Sequence, residues 1–244
     1  MSTEQIPSAT TGQSTVAVPI IARHPFIELE NGDRMNREEF HRLYEQTPEG
    51  FKAELIGGIV YVASPLYPGH GKPHMQLTAI VAAYEARTPG VDASDNTTIL
   101  LGGEAEPQPD LYVRILPEYG GQSSTGDQER VEGAPELIVE VANTTRAIDL
   151  HAKKKDYTDY GVLEYVVHCV KEKKLWWFDL AAGNELQPDP AGIYRIRTFP
   201  GLWINGPALI EKNYSQLMQT LEAGLSTPEH AAFVEELAKR RVKS

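Results

Sequence analysis

Cysteine is nearly absent: Cys169 is the only one in 244 residues. That excludes an internal disulfide and suits a reducing, cytoplasmic setting. Long apolar runs are missing too. None approaches the roughly 18 residues that a membrane-spanning helix needs, so no membrane partner is expected. The early apolar stretch 16–21 is broken by Pro19 and has no basic flank, so it does not read as a signal peptide. Positive charge is in short supply: 23 Lys and Arg face 34 Asp and Glu, a net charge of −11. An acidic body of this kind disfavours broad, non-specific binding to nucleic acid. The deficit is uneven, however. Residues 143–175 carry seven Lys/Arg against five acids, so that segment is +2, the remainder is −13, and a local basic face is left open. Residues 1–22 are Ser/Thr/Gln-rich without periodicity and read as a disordered tail. No internal repeat is visible.

What is present organises into alternating helices and strands. Asn36 can cap a first helix, with Glu39 at its third position reaching back and Met35 stapling onto Phe40. Gly57-Gly58 between 54–56 and 59–62 is a two-residue hairpin signal. A second helix is expected over 73–87, with Leu77, Ile80, Val81 and Tyr84 on one side. Strands are expected at 97–101 and 111–116, and 117–134 reads as a surface loop. The run ELIVEVA at 136–142 is nearly continuous in apolar residues, as in a strand buried on both faces. A helix is expected over 148–160, closed by Gly161. Further strands follow at 163–170, 174–179, 193–198 and 202–204. Two amphipathic helices close the chain, with Leu217, Met218 and Leu221 on the first and Phe233, Val234 and Leu237 on the second. These assign an α/β domain over 23–210 and a helical extension over 211–244. The apolar faces of that extension imply docking on the domain or on a second copy, as in a homodimer.

Three residues stand where chemistry is one explanation and structure another. Glu140 interrupts Leu137-Ile138-Val139 and Val141-Ala142. An ionised carboxylate in such a strand costs several kcal/mol unless it is paired or bound to metal. It therefore asks for a cation, unless a core arginine pairs with it or the strand is an exposed edge. Asp110 follows Pro109 at the mouth of the next strand; alone it reads as a turn residue. With Glu140 it offers two carboxylates from neighbouring strands, as many as a Mg²⁺ site usually draws from protein. Lys153 lies in the helix after the Glu140 strand, where an ammonium can stabilise charge on a phosphate. The same Lys153-Lys154-Lys155 run also fits a solvated helix face.

In that order, Glu54, Pro109-Asp110, Glu140 and Lys153 resemble the PD-(D/E)XK nuclease superfamily, specifically the bacterial Uma-type putative restriction endonuclease family. The resemblance is carried by AELIGGIVYVASP (53–65), EPQPDLYV (106–113), PELIVEVANTT (135–145) and DLHAKKKDYTDYGVLEYVV (149–167). With their flanks these blocks cover most of 50–205. Lys153, Tyr157 and Gly161-Val162 match the family's lysine, tyrosine and Gly-Val, which selects Lys153 over its two neighbours. The resemblance implies a restriction-endonuclease-like α/β core with a mixed sheet and extra hairpins, and metal-dependent hydrolysis of nucleic acid, DNA first. It implies Asp110 and Glu140 as ligands of Mg²⁺ or Mn²⁺, joined by the Val141 carbonyl, with Glu54 positioning metal or water and Lys153 as the catalytic cation. Two residues depart from the pattern. Ala142 stands where the superfamily's usual strand lysine would be, so Lys153 acts as its substitute, and Asn143 replaces a common serine.

The remaining candidates read as structural. His70 and His74 have the spacing of a helical zinc pair, but Pro73 favours a helix that begins after His70 and leaves His74 at the site edge or as a cap. Trp176 and Trp177 adjoin a lysine-rich turn, which suits base stacking, while strand alternation sends one of them to the core. Ser64 and Cys169 lack a nucleophile context. A catalytically silent binding module that keeps the fold is the alternative from another class.

Overall fold

The computed structural model describes residues 29–63, 68–143 and 145–241, with the side chains of 68–70 and 128 excepted. The tail 1–22, Ser64, the His70 side chain and Thr144 thus lie outside the described residues. In chain order the elements are α1 (Arg37–Tyr44), β1 (Ala53–Ile56), β2 (Ile59–Val62), α2 (Pro68–Glu85), β3 (Val91–Asp95), β4 (Ile99–Leu100), β5 (Leu111–Ile115), β6 (Ser124–Thr125), β7 (Val131–Glu132) and β8 (Leu137–Ala142). A π-helical segment, Ile148–Lys153, then runs into α3 (Lys154–Asp159). β9 (Glu164–Cys169), β10 (Lys174–Asp179), β11 (Asn184–Glu185), β12 (Ile193–Arg195), β13 (Trp203–Asn205), α4 (Gly206–Ile210), α5 (Tyr214–Leu225) and α6 (Pro228–Arg240) complete the fold.

A six-stranded mixed sheet in the order β11-β10-β9-β8-β5-β3 forms the centre. β8 is parallel to β9 and antiparallel to β5, and all six of its residues are buried. This is the central, doubly covered strand that the apolar run predicts. One face carries Val139 and Val141 of β8 and packs on Leu77, Ile80 and Tyr84 of α2. Leu217, Leu221 and Leu237 from α5 and α6 enter this same core, so the C-terminal helices dock on the domain. The other face carries Ile138 and Ala142 and is covered by Tyr157 of α3. The hairpin β1–β2 turns through Gly57 (φ +57°) and Gly58 (φ +71°), which glycine adopts without steric cost. Asn36 caps α1 by accepting the Glu39 N–H, and Met35 packs with Phe40 in a third, smaller core.

Four local readings are corrected and one strand, β3, is added. α2 begins a turn before Pro73, because a proline this close to the start deletes one early hydrogen bond and leaves the later ladder intact. β3, too polar to read as a strand, is held by cross-strand partners: Asp92 accepts from Arg114 Nε at 2.6 Å and Tyr112 Oη at 3.3 Å. The expected strand at 97–101 shortens to β4, and the loop 117–134 includes β6 and β7, which pair with each other, β7 pairing also with β4. The helix expected over 148–160 is π-helical in its first half. Among the described residues, no helix is long and apolar enough to cross a membrane.

Candidate active site

Register brings the two central acids together. Leu111 pairs with Val139 across β5 and β8, and continuing that antiparallel register by one residue sets Asp110 opposite Glu140. The β5–β8 ladder stops there, and the Asp110 carboxylate replaces it: Oδ2 accepts the Val141 N–H at 2.6 Å. In an extended strand a residue's N–H and C=O leave on the same side, so the Val141 carbonyl also faces the Asp110 edge. The Asp110 N–H lies 3.4 Å from Glu140 Oε2, a long contact. His74, on α2, contacts the Asp110 carbonyl at 3.1 Å through Nε2, at the edge of this cluster.

Lys153 closes the cluster from the other side. Its Nζ donates to Glu140 Oε1 and to Glu54 Oε1, each at 2.9 Å. Glu54 arrives from the β1–β2 hairpin, which is tied to α3 where the Gly57 N–H donates to Asp156 at 2.6 Å. The Gln108 N–H, flanked by two prolines that have none, donates to Glu54 Oε1 at 2.7 Å. Among the three consecutive lysines, Lys153 is buried, Lys154 is half-buried, and Lys155 is exposed and pairs with Asp159. All four predicted side chains, Glu54, Asp110, Glu140 and Lys153, therefore meet at one place.

Two further side chains belong to the site that sequence reasoning had not placed in it. Tyr157, one helical turn after Lys153, donates its hydroxyl to Glu140 Oε1 at 3.0 Å. Burial holds its phenol well above the ordinary range, so it stays a donor. Asp149, one turn before Lys153, sits 3.9 Å from the ammonium, and its other oxygen accepts the Thr145 hydroxyl at 2.6 Å. The spacing Asp149, Lys153, Tyr157 (i, i+4, i+8) along one helix face is the signal that was available for both.

Electrostatics here are dominated by burial. Glu140 is pushed well above the ordinary carboxyl range, first by desolvation and then by Asp149, Asp110 and Glu54, against the pull of Lys153. Burial likewise pushes Asp149 up to about 6. For Lys153, desolvation alone would lower the ammonium; Glu140, Glu54 and Asp149 together overcome it and hold it well above its usual value. Three carboxyl groups thus share one ammonium, with Asp110 beside Glu140 as a fourth, and the surplus is negative. Among the described residues, no group of three or more His, Cys, Asp and Glu side chains converges to hold a metal ion. The available donor set is smaller: Asp110, Glu140 and the Val141 carbonyl. These are hard oxygen donors of the kind Mg²⁺ and Mn²⁺ take, with waters to complete the shell.

The other candidates lie outside this cluster. Trp177 is buried and donates to Glu164 at 2.8 Å, while Trp176 lies half-buried on the opposite sheet face. His151 is exposed. Cys169 is buried, and burial raises its thiol.

Residues 37–206 match the family model Uma2, described as a putative restriction endonuclease. The fold is similar to the crystal structure of a putative nuclease belonging to DUF820 from Anabaena variabilis, with a TM-score of 0.55 over 72% of this chain and 98% of that one. Sequence identity to it is 15%, so the likeness concerns the fold. A stretch of 66 residues is 30% identical to a "Probable tautomerase" of Helicobacter pylori, covering 27% of this chain and 97% of that protein. That match spans far less of the chain than the nuclease-family match does.

Proposed function

This chain belongs to the Uma2 putative restriction endonuclease family, and we propose that it is a divalent-metal-dependent endonuclease hydrolysing phosphodiester bonds in nucleic acid, DNA first. The observation that carries this reading is the buried Glu140 in the central strand, opposite Asp110 and in contact with Lys153. A carboxylate surplus this deep in the fold is costly unless a cation enters it. Asp110, Glu140 and the Val141 carbonyl would hold Mg²⁺ or Mn²⁺. Bound there, the metal would stabilise charge on the phosphoryl oxygens and lower the pKa of the attacking water.

The chain's own residues do the rest. Lys153, kept protonated by its three carboxylate neighbours, brings a fixed positive charge to the pentavalent phosphorus as negative charge builds on its oxygens. Tyr157 and Lys153 both donate to Oε1 of Glu140, which orients Oε2 toward Asp110. Glu54, anchored by the Gln108 N–H, accepts a hydrogen bond from the attacking water and aligns it. His74 steadies the backbone of Asp110.

A silent binding module that keeps the fold is favoured by one observation: Lys153 already spans Glu54 and Glu140 as a structural ion pair. Cleavage of duplex and single-stranded substrates with and without Mg²⁺ or Mn²⁺ separates the two. The nuclease reading expects metal-dependent cutting that Asp110→Ala and Glu140→Ala abolish. Absence of cutting on every substrate, or cutting indifferent to both substitutions, overturns it.

A further inference from the structure

We propose that the strip Lys154–Phe178–Trp176–Lys174 is a docking subsite for a single strand of nucleic acid, with a base over Trp176 and phosphates on the lysines. This rests on the nuclease reading and adds where the substrate strand runs. Sheet register supplies the first argument. Glu140 pairs with Val167 of β9, and Val167 pairs with Trp176 of β10. Trp176 therefore stands in the same row as Glu140 and on the same sheet face, two strand spacings or about 10 Å away.

Contacts run without a break from the carboxylate cluster to the strip. Tyr157, hydrogen-bonded to Glu140, meets Tyr165 edge-on at 4.9 Å; Tyr165 stacks on Phe178 at 6.3 Å, and Phe178 on Trp176 at 6.1 Å. Exposure rises along this run, from buried Tyr157 and Tyr165 to half-buried Trp176 and exposed Lys174. The outer two rings each carry an ammonium: Lys154 Nζ lies 3.7 Å from the Phe178 centroid and Lys174 Nζ 3.1 Å from that of Trp176.

Charge and hydrogen bonding supply the second argument. In a chain of net charge −11, Glu172 is taken by Arg146 and Asp159 by Lys155, while Glu185, opposite Phe178 on β11, accepts only from Gln187 among the described residues and marks the outer end of the strip. Lys154, Lys171, Lys173 and Lys174 have no ion-pair partner among the described residues. The Trp176 indole N–H has no acceptor there either, although it is covered. A strand that draws the Lys174 ammonium onto a phosphate uncovers the indole face for a base. Stacking is tolerant of sequence, so the subsite fits a strand of any sequence.

The test is binding of fluorescently labelled single-stranded DNA and RNA oligonucleotides, followed by anisotropy in EDTA so that no cutting occurs. Lys174→Glu, at an exposed position, is expected to weaken binding roughly tenfold and to flatten its dependence on log salt by about 0.7. Trp176→Leu is expected to weaken binding roughly tenfold with little change in that slope. If Trp176→Leu lowers the melting temperature, the Lys174→Glu result decides. Wild-type binding that both variants retain in full overturns the subsite and leaves the nuclease reading standing. No wild-type binding at any salt concentration likewise overturns the subsite, while the nuclease reading is decided by the cleavage assay.

Discussion

Replacing Lys153 with methionine keeps the aliphatic stem and removes the ammonium. The Lys153 side chain is 6% exposed, and its Nζ lies 2.9 Å from both Glu54 and Glu140. Breaking a buried ion pair from one side costs about 3–5 kcal/mol, because the partner charge is left in a poor solvent. Lys155→Met is the matched control: that side chain is 73% exposed and pairs only with Asp159, so urea denaturation should resolve no loss. The Lys153→Met loss should also depend on pH. Burial already raises the carboxyls of Glu140 and Asp149, the latter to about 6, and removal of the ammonium raises them further. The folded variant then binds more protons than the unfolded chain, so its stability falls as pH rises through that range and recovers on acidification. Adding Glu140→Gln to Lys153→Met should return part of the loss, with a coupling of about 1 kcal/mol or more. Equal and negligible losses from Lys153→Met and Lys155→Met would refute the reasoning and make the lysine run a solvated helix face.

Three other outcomes are expected. Burial, helped by the charge of Lys212, pushes His168 down to about 4 from 6.5. The unfolded chain therefore takes up a proton that the folded one refuses, and stability falls by up to about 3 kcal/mol between pH 6.5 and 4. His168→Leu should lose that dependence in denaturation curves recorded across the window; an unchanged pH profile would contradict it. Asp156→Ala removes the acceptor of the Gly57 N–H and should cost about 1–2 kcal/mol, with faster amide exchange confined at first to the β1–β2 hairpin; unchanged exchange there would show that the hairpin is held by other contacts. Tyr157→Phe should leave the fold intact but reduce metal-dependent cleavage by disordering Glu140, and full retained turnover would remove Tyr157 from the site.

Much of the site was legible because burial and charge conflict openly in the sequence. A glutamate inside LIVEVA has few physical explanations, and the four predicted side chains do converge. Asp149 was less visible because an acid in a helix ordinarily faces water; only its i, i+4 relation to Lys153 marks it. Gln108 acts through its backbone N–H, which side-chain patterns do not report. In the fold, strong periodicity marked α2, β8, β9 and β10, whereas β3 depends on Arg114 and Tyr112 across the sheet to accommodate Asp92. The π-helical turn at Ile148–Lys153 leaves no periodic trace in six residues. It carries Asp149 and Lys153 themselves, in keeping with the tendency of such segments to occur where side chains are aimed for function.

The most direct measurement is calorimetric titration of Mn²⁺ into the intact protein and into its Asp110→Ala and Glu140→Ala variants, each shown to be folded by its thermal melt. One ion per chain is expected to bind the wild type and to raise its melting temperature by mass action, and either substitution should abolish both effects. Equal Mn²⁺ binding by all three proteins, or none by the wild type, would contradict a cation site at Asp110 and Glu140.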